Sequence, residues 1–73
     1  MNFYFLKKLV NIMYTIQCRY EYFGSNGKNW TKWFNHGHSE NPEEEIKLLK
    51  EKSKEVDRIT KLKHEYRYVE ENI

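Results

Sequence analysis

The chain has 73 residues, room for one small domain, with 13 Lys and Arg set against 11 Asp and Glu. The nominal charge of +2 traces to Lys7 and Lys8, and without that pair the balance is eleven against eleven. A neutral balance gives no basis for the broad phosphate-neutralising surface that defines most nucleic-acid binders. Cys18 is the single cysteine, which excludes an internal disulfide and a cysteine metal cluster. It fits a reducing compartment, so a cytoplasmic protein is expected.

Residues 1–12, MNFYFLKKLVNI, place aromatics first, then Lys7 and Lys8, then Leu9, Val10 and Ile12. A secretory signal has the opposite order, and the uncharged runs are too short to span a bilayer. Three readings stay open. The segment is an extension upstream of a natural start at Met13, or a strand or short helix docked on the sheet, or a membrane-surface anchor. Residues 13–73 are read as the domain itself.

Tyr14 to Phe23 alternates, with Tyr14, Ile16, Cys18, Tyr20 and Tyr22 on one side and Thr15, Gln17, Arg19 and Glu21 on the other. That period, with aromatic and β-branched enrichment, predicts a half-buried strand. Residues 24–29, GSNGKN, predict a turn, Asn26-Gly27 being the pair that tolerates positive φ. Asn29 to Asn35, NWTKWFN, is the expected returning strand. His36 to Glu40 is expected as a loop.

Asn41 to Thr60 predicts one amphipathic helix. Asn41 is placed as N-cap, Pro42 takes the first helical position, and Glu43, Glu44 and Glu45 meet the positive end of the helix dipole. Glu44 stands where a capping-box partner would reach back. Ile46, Leu49, Ser53, Val56 and Ile59 or Thr60 mark the expected buried face, with Leu48 at its margin. Glu43 with Lys47 and Asp57 with Lys61 are spaced four apart in the favourable orientation. Leu62 to Val69 alternates again, with Leu62, His64, Tyr66 and Tyr68 on one face and Lys63, Glu65 and Arg67 on the other.

The order strand, strand, helix, strand predicts an α+β fold, β-β-α-β. It is a three-stranded antiparallel sheet of order 2-1-3 with one helix packed on one face. The other face is expected to be wet and to carry Arg19, Glu21, Glu65 and Arg67. A core of about ten large side chains, at roughly 2 kcal/mol each, leaves little margin over chain entropy. A homodimer is therefore expected.

The returning strand carries the functional signal, because its aromatics fall in both phases. Trp30 and Phe34 share a face with Lys32, and Trp33 lies opposite. Only one set can pack under the helix, so the other is exposed on an edge strand. Exposed Trp with Lys beside it suits a protein-interface hot spot or a single-stranded nucleic-acid platform. The partner-binding residues expected are Trp30, Trp33 and Phe34, with Lys28 and Lys32 as the rim.

Catalytic, metal and cofactor readings are not supported. His36 and His38 flank Gly37 in a polar stretch and read as exposed loop residues, while His64 reads as a satisfied residue of the packed face. Cys18 reads as a small buried hydrophobe. The glycines serve a hairpin, not a phosphate loop. No catalytic residue, cofactor or metal is predicted.

The expected function is that of a non-enzymatic binding protein acting on a macromolecular protein partner. A nucleic-acid module using the same Trp and Lys residues is one alternative, and a self-assembling structural subunit is another. Lys outnumbers Arg ten to three, and Asn, Ile, Tyr and Phe are abundant. Those residues have A/T-rich codons, which suits an A/T-rich genome and an accessory protein of a phage or mobile element that inhibits a host or defence factor.

Overall fold

The computed structural model describes residues 12–71. In chain order they form β1 (Tyr14–Gly24), β2 (Gly27–Trp30), β3 (Phe34–Ser39), α1 (Pro42–Thr60) and β4 (His64–Glu70). The readings of the N-terminal segment fall, but for Ile12, outside the described residues.

β1 is common to every pairing: β2, β3 and β4 all run antiparallel to it. Successive residues of a strand turn their backbone groups to opposite edges. The Tyr20 carbonyl accepts the Thr31 amide at 2.9 Å, whereas the Glu21 amide donates to the Lys63 carbonyl at 2.9 Å. The chain after the hairpin therefore returns along one edge of β1, and β4 lies along the other. The α+β architecture and the 2-1-3 order are as the sequence predicts. The second strand of that order differs, because it is two pieces, β2 and β3.

The break is a matter of count. Trp30 pairs with Glu21 and Phe34 pairs with Cys18, so four steps of the returning chain oppose three of β1. A second extra residue, His36, lies between Asn35 opposite Gln17 and Gly37 opposite Ile16. Such bulges belong on an edge strand, where they bend it and end its pairing. Residues 36–39, expected as loop, are strand because the first half of β1 needs a partner on that edge. The hairpin closes at Gly24 opposite Gly27, and Gly27 has φ 103°, where a side chain would be strained.

The core lies between α1 and the side of the sheet that carries Ile16, Cys18 and Tyr66. Ile16, Cys18 and Ile46, with Pro42 at the start of α1, are the buried apolar residues among those described. α1 starts at Pro42 with its acidic first turn, as expected, but the Asn41 side chain makes no capping hydrogen bond. The Asn41 amide instead donates to Ser39 Oγ at 2.9 Å, and no capping box forms among the described residues. The helix ends on Lys61 in the left-handed region, its amide bonded to the Asp57 carbonyl at 2.9 Å.

The inward stripe of α1 departs from expectation in its last turns. Val56 and Ile59 are exposed, whereas Asp57 is half-buried. The Asp57 carboxylate takes the His64 amide at 3.0 Å and the His64 ring Nδ1 at 2.5 Å, stitching α1 to the start of β4. That bond turns Asp57, not Val56, towards the sheet and removes it from the expected pair with Lys61. The ion pair of this helix is Arg58 with Glu55, at 2.5 Å. No helix among the described residues is long and apolar enough to cross a membrane.

Candidate docking face

The side of the sheet away from α1 carries Thr15, Gln17, Arg19 and Glu21 from β1, with Glu65 and Arg67 from β4 in register. Across the other edge stand Trp30, opposite Glu21, and Asn35, opposite Gln17. Trp33, in the bulge between β2 and β3, folds onto the same side. Its ring lies under the Arg19 guanidinium at 4.8 Å and the Arg67 guanidinium at 4.2 Å. Arg19 also lies over the Trp30 ring at 4.6 Å.

These contacts build an array in which aromatic and cation alternate: Trp30, Arg19, Trp33, Arg67. Each guanidinium over an indole is worth about 0.5–1 kcal/mol where exposed. Both arginines are also held from the side. Arg19 bonds Glu65 through Nε at 2.6 Å, and Arg67 donates from Nε to the Gln17 side-chain oxygen at 2.7 Å. Gln17 in turn donates to Asn35 at 3.2 Å. The array is thus fixed at both cations before any partner arrives. No described helix or strand packs over it.

The extra residue between Trp30 and Phe34 explains why the expected faces are wrong. Alternation would put Trp30 and Phe34 together and Trp33 opposite. The bulge flips the parity, so Trp30 and Trp33 share the open side. Phe34 goes to the helix side, edge-on to Tyr20 with ring centroids 5.9 Å apart. Lys32 is exposed in the bulge, and the Lys28 ammonium donates to the Lys61 carbonyl at 2.7 Å. The structure therefore unites Trp30 and Trp33, separates Phe34 from them, and adds Arg19 and Arg67. The arginines were legible as residues of the wet face. Their stacking on Trp was not, because it depends on where the bulge falls.

The remaining chemistry-bearing groups are tied into the fold. His38, expected in a loop, sits on β3 and bonds the Glu71 carboxylate, which also accepts from Thr15 Oγ1 at 2.5 Å. That carboxyl is held below the usual range, first by Thr15 and then by His38. Burial, and secondarily Asp57, pushes the Cys18 thiol above its ordinary value, the reverse of what a nucleophile needs. Among the described residues no group of three or more His, Cys, Asp or Glu side chains is placed to hold a metal ion.

Comparison with protein-family models, curated proteins and solved structures gives no match. The site is therefore read from its own geometry.

Proposed function

We propose that the protein is a non-enzymatic binding module whose open sheet face docks on a protein partner and occludes it. The observation that carries this reading is the Trp30–Arg19–Trp33–Arg67 array. Trp and Arg are the residues that dominate binding energy at protein interfaces. Here they stand side by side, both arginines hydrogen-bonded within the chain, on a surface that no described element covers. Pre-ordering lowers the entropy lost on association, which favours affinity from a small face.

The charges of the face favour a protein over a phosphate backbone. Arg19 is engaged by Glu65, and Glu21 and Glu65 place carboxylates beside the array. A phosphate strand laid along it would meet those carboxylates as well as the arginines. Stacked bases on Trp30 and Trp33 are the competing reading, and salt separates the two. A phosphate complex weakens steeply as salt rises, whereas an aromatic-anchored protein interface does not.

The test is capture of partners by the tagged chain from nuclease-treated lysate of its own cells, washed at high salt, with Trp33→Ala as the paired bait. A stoichiometric protein retained by the wild type and lost with Trp33→Ala supports the reading. Retention that needs nucleic acid, or that ignores Trp33, overturns it.

A further inference from the structure

At the two ends of β4, the Lys63 carbonyl takes the Glu21 amide and the Glu71 amide donates to the Met13 carbonyl, each at 2.9 Å. The odd-numbered residues therefore turn their backbone groups to β1, and alternation turns those of His64, Tyr66, Tyr68 and Glu70 to the outer edge. The His64 amide is taken there by the Asp57 carboxylate at 3.0 Å. Among the described residues nothing bonds the amides of Tyr66, Tyr68 and Glu70, and β4 pairs with β1 alone.

The two edges of the sheet are built differently. Bulges break the edge formed by β2 and β3, which discourages a further strand. β4 keeps an unbroken register with β1 over all seven of its residues, so its outer edge is a regular template.

A cleft of about 410 Å³ runs beside that edge, lined by Glu43, Ile46 and Lys50 of α1 with Tyr66, Arg67 and Tyr68 of β4. β1 has no part in the lining, so the cleft opens outward from β4. The inward stripe of α1 is Pro42, Ile46, Leu49, Ser53 and Asp57. Lys50 and Lys54 stand about 60° and 100° round from its centre, on the flank above the cleft. Glu43, on the same flank, is engaged by the Tyr68 hydroxyl at 3.2 Å. On the open side of β4, Glu65 is met by Arg19, whereas Arg67 donates only its Nε, to Gln17. The unpaired charge beside the middle of the edge is therefore positive.

We propose that the outer edge of β4 takes an extended segment of a protein partner as a further strand, apolar on the side turned to α1 and acidic on the other. In such an addition, backbone pairing supplies affinity and alternate side chains supply specificity. An antiparallel guest pairs with Tyr66 and Tyr68 through residues whose side chains enter the cleft over Ile46. The guest residues between them lie beside Arg67. A carboxylate there meets the free Nη groups of a guanidinium already held by Trp33 and Gln17. Lys50 and Lys54 add attraction from the helix side. A second copy of β4 suits the edge less well, because a two-fold would set Lys50 and Lys54 against their own copies. Arg67 also belongs to the open face, but the pairing groups are those of Tyr66 and Tyr68, so the inference does not rest on docking at that face.

The test is titration of the isotope-labelled full chain with blocked seven-residue peptides, read by amide chemical shifts. A peptide alternating Val and Asp is expected to shift the Tyr66, Tyr68 and Glu70 amides saturably and to protect them from hydrogen exchange. One alternating Val and Lys is expected to bind at least about tenfold more weakly. N-methylation of every Val removes the amides that an antiparallel guest turns to β4 and is expected to abolish the shifts, whereas N-methylation of every Asp is expected to spare them. Lys50→Glu, at an exposed helix position, is expected to weaken the acidic peptide about fivefold. No saturable shift at these amides with millimolar peptide, or a response indifferent to which residues are N-methylated, overturns the inference. So does protection of these amides in the free chain that vanishes on dilution or on removal of residues 1–11, since a second copy or the chain's own N-terminus would then hold the edge. Capture that depends on Trp33 is read separately from these shifts, so the two readings fail independently.

Discussion

Trp30 and Phe34 are four positions apart and face opposite sides of the sheet, because their partners on β1, Glu21 and Cys18, are three apart. That single extra residue sends Trp30 and Trp33 together to the open side and Phe34 to the helix side. A deletion tests it. Removing Lys32 leaves three steps against three, so Trp33 would fall opposite Arg19 in an unbroken strand. The variant is expected to fold and to keep both tryptophans beside Arg19, read by near-ultraviolet dichroism and urea midpoint. Loss of folding would mean that the irregularity is not a simple insertion.

Asp57 holds the end of α1 to the start of β4 through the amide and ring of His64. Asp57→Asn keeps the size but loses the charge-assisted bonds. It is expected to lower the unfolding free energy by about 1–3 kcal/mol, measured by urea denaturation at neutral pH. An unchanged midpoint would show that the pair does not support the fold.

How much of this was legible beforehand depends on the element. α1 and the two long strands follow from periodicity, from Pro42 and from the acidic first turn, although β4 runs His64–Glu70, not Leu62 to Val69, because the chain is still turning out of the helix at Lys61. The last inward position of α1 was ambiguous, since after Ser53 both Val56 and Asp57 fit a period of 3.6. Hydrophobicity selects Val56, but the Asp57 bonds to His64 decide otherwise. The mixed phase of NWTKWFN was itself the sign of an irregular strand, yet its bulges depend on pairing with β1, which local pattern does not carry. Read as a regular strand, it hid the stack of Trp33 between Arg19 and Arg67.

Glu71 joins three strands by accepting from Thr15 and bonding His38. Those bonds, Thr15 first, hold its carboxyl below the usual range. A value depressed in the folded state gives stability that is full above the unfolded carboxyl value of about 4.3 and is lost as pH falls through the folded value. Glu71→Gln is therefore expected to lose less stability than the wild type between pH 7 and acid, measured by urea midpoints at each pH. Parallel acid limbs for the two proteins would contradict this role.

Cys18 is buried, and its thiol is pushed up by burial and then by Asp57. Thiolate is the reactive form, so a thiol reagent near neutral pH is expected to label the folded protein at least about tenfold more slowly than the urea-unfolded chain. Equal rates would place Cys18 in solvent and remove it from the core.

The most direct test of the docking face is the affinity of the captured partner for the wild type and for Trp33→Ala, each at low and high salt. Weakening by about tenfold or more in Trp33→Ala, with little dependence on salt in the wild type, is the result expected of an aromatic-anchored protein interface. Equal affinity for the two proteins, or a wild-type affinity that collapses as salt rises, would contradict it.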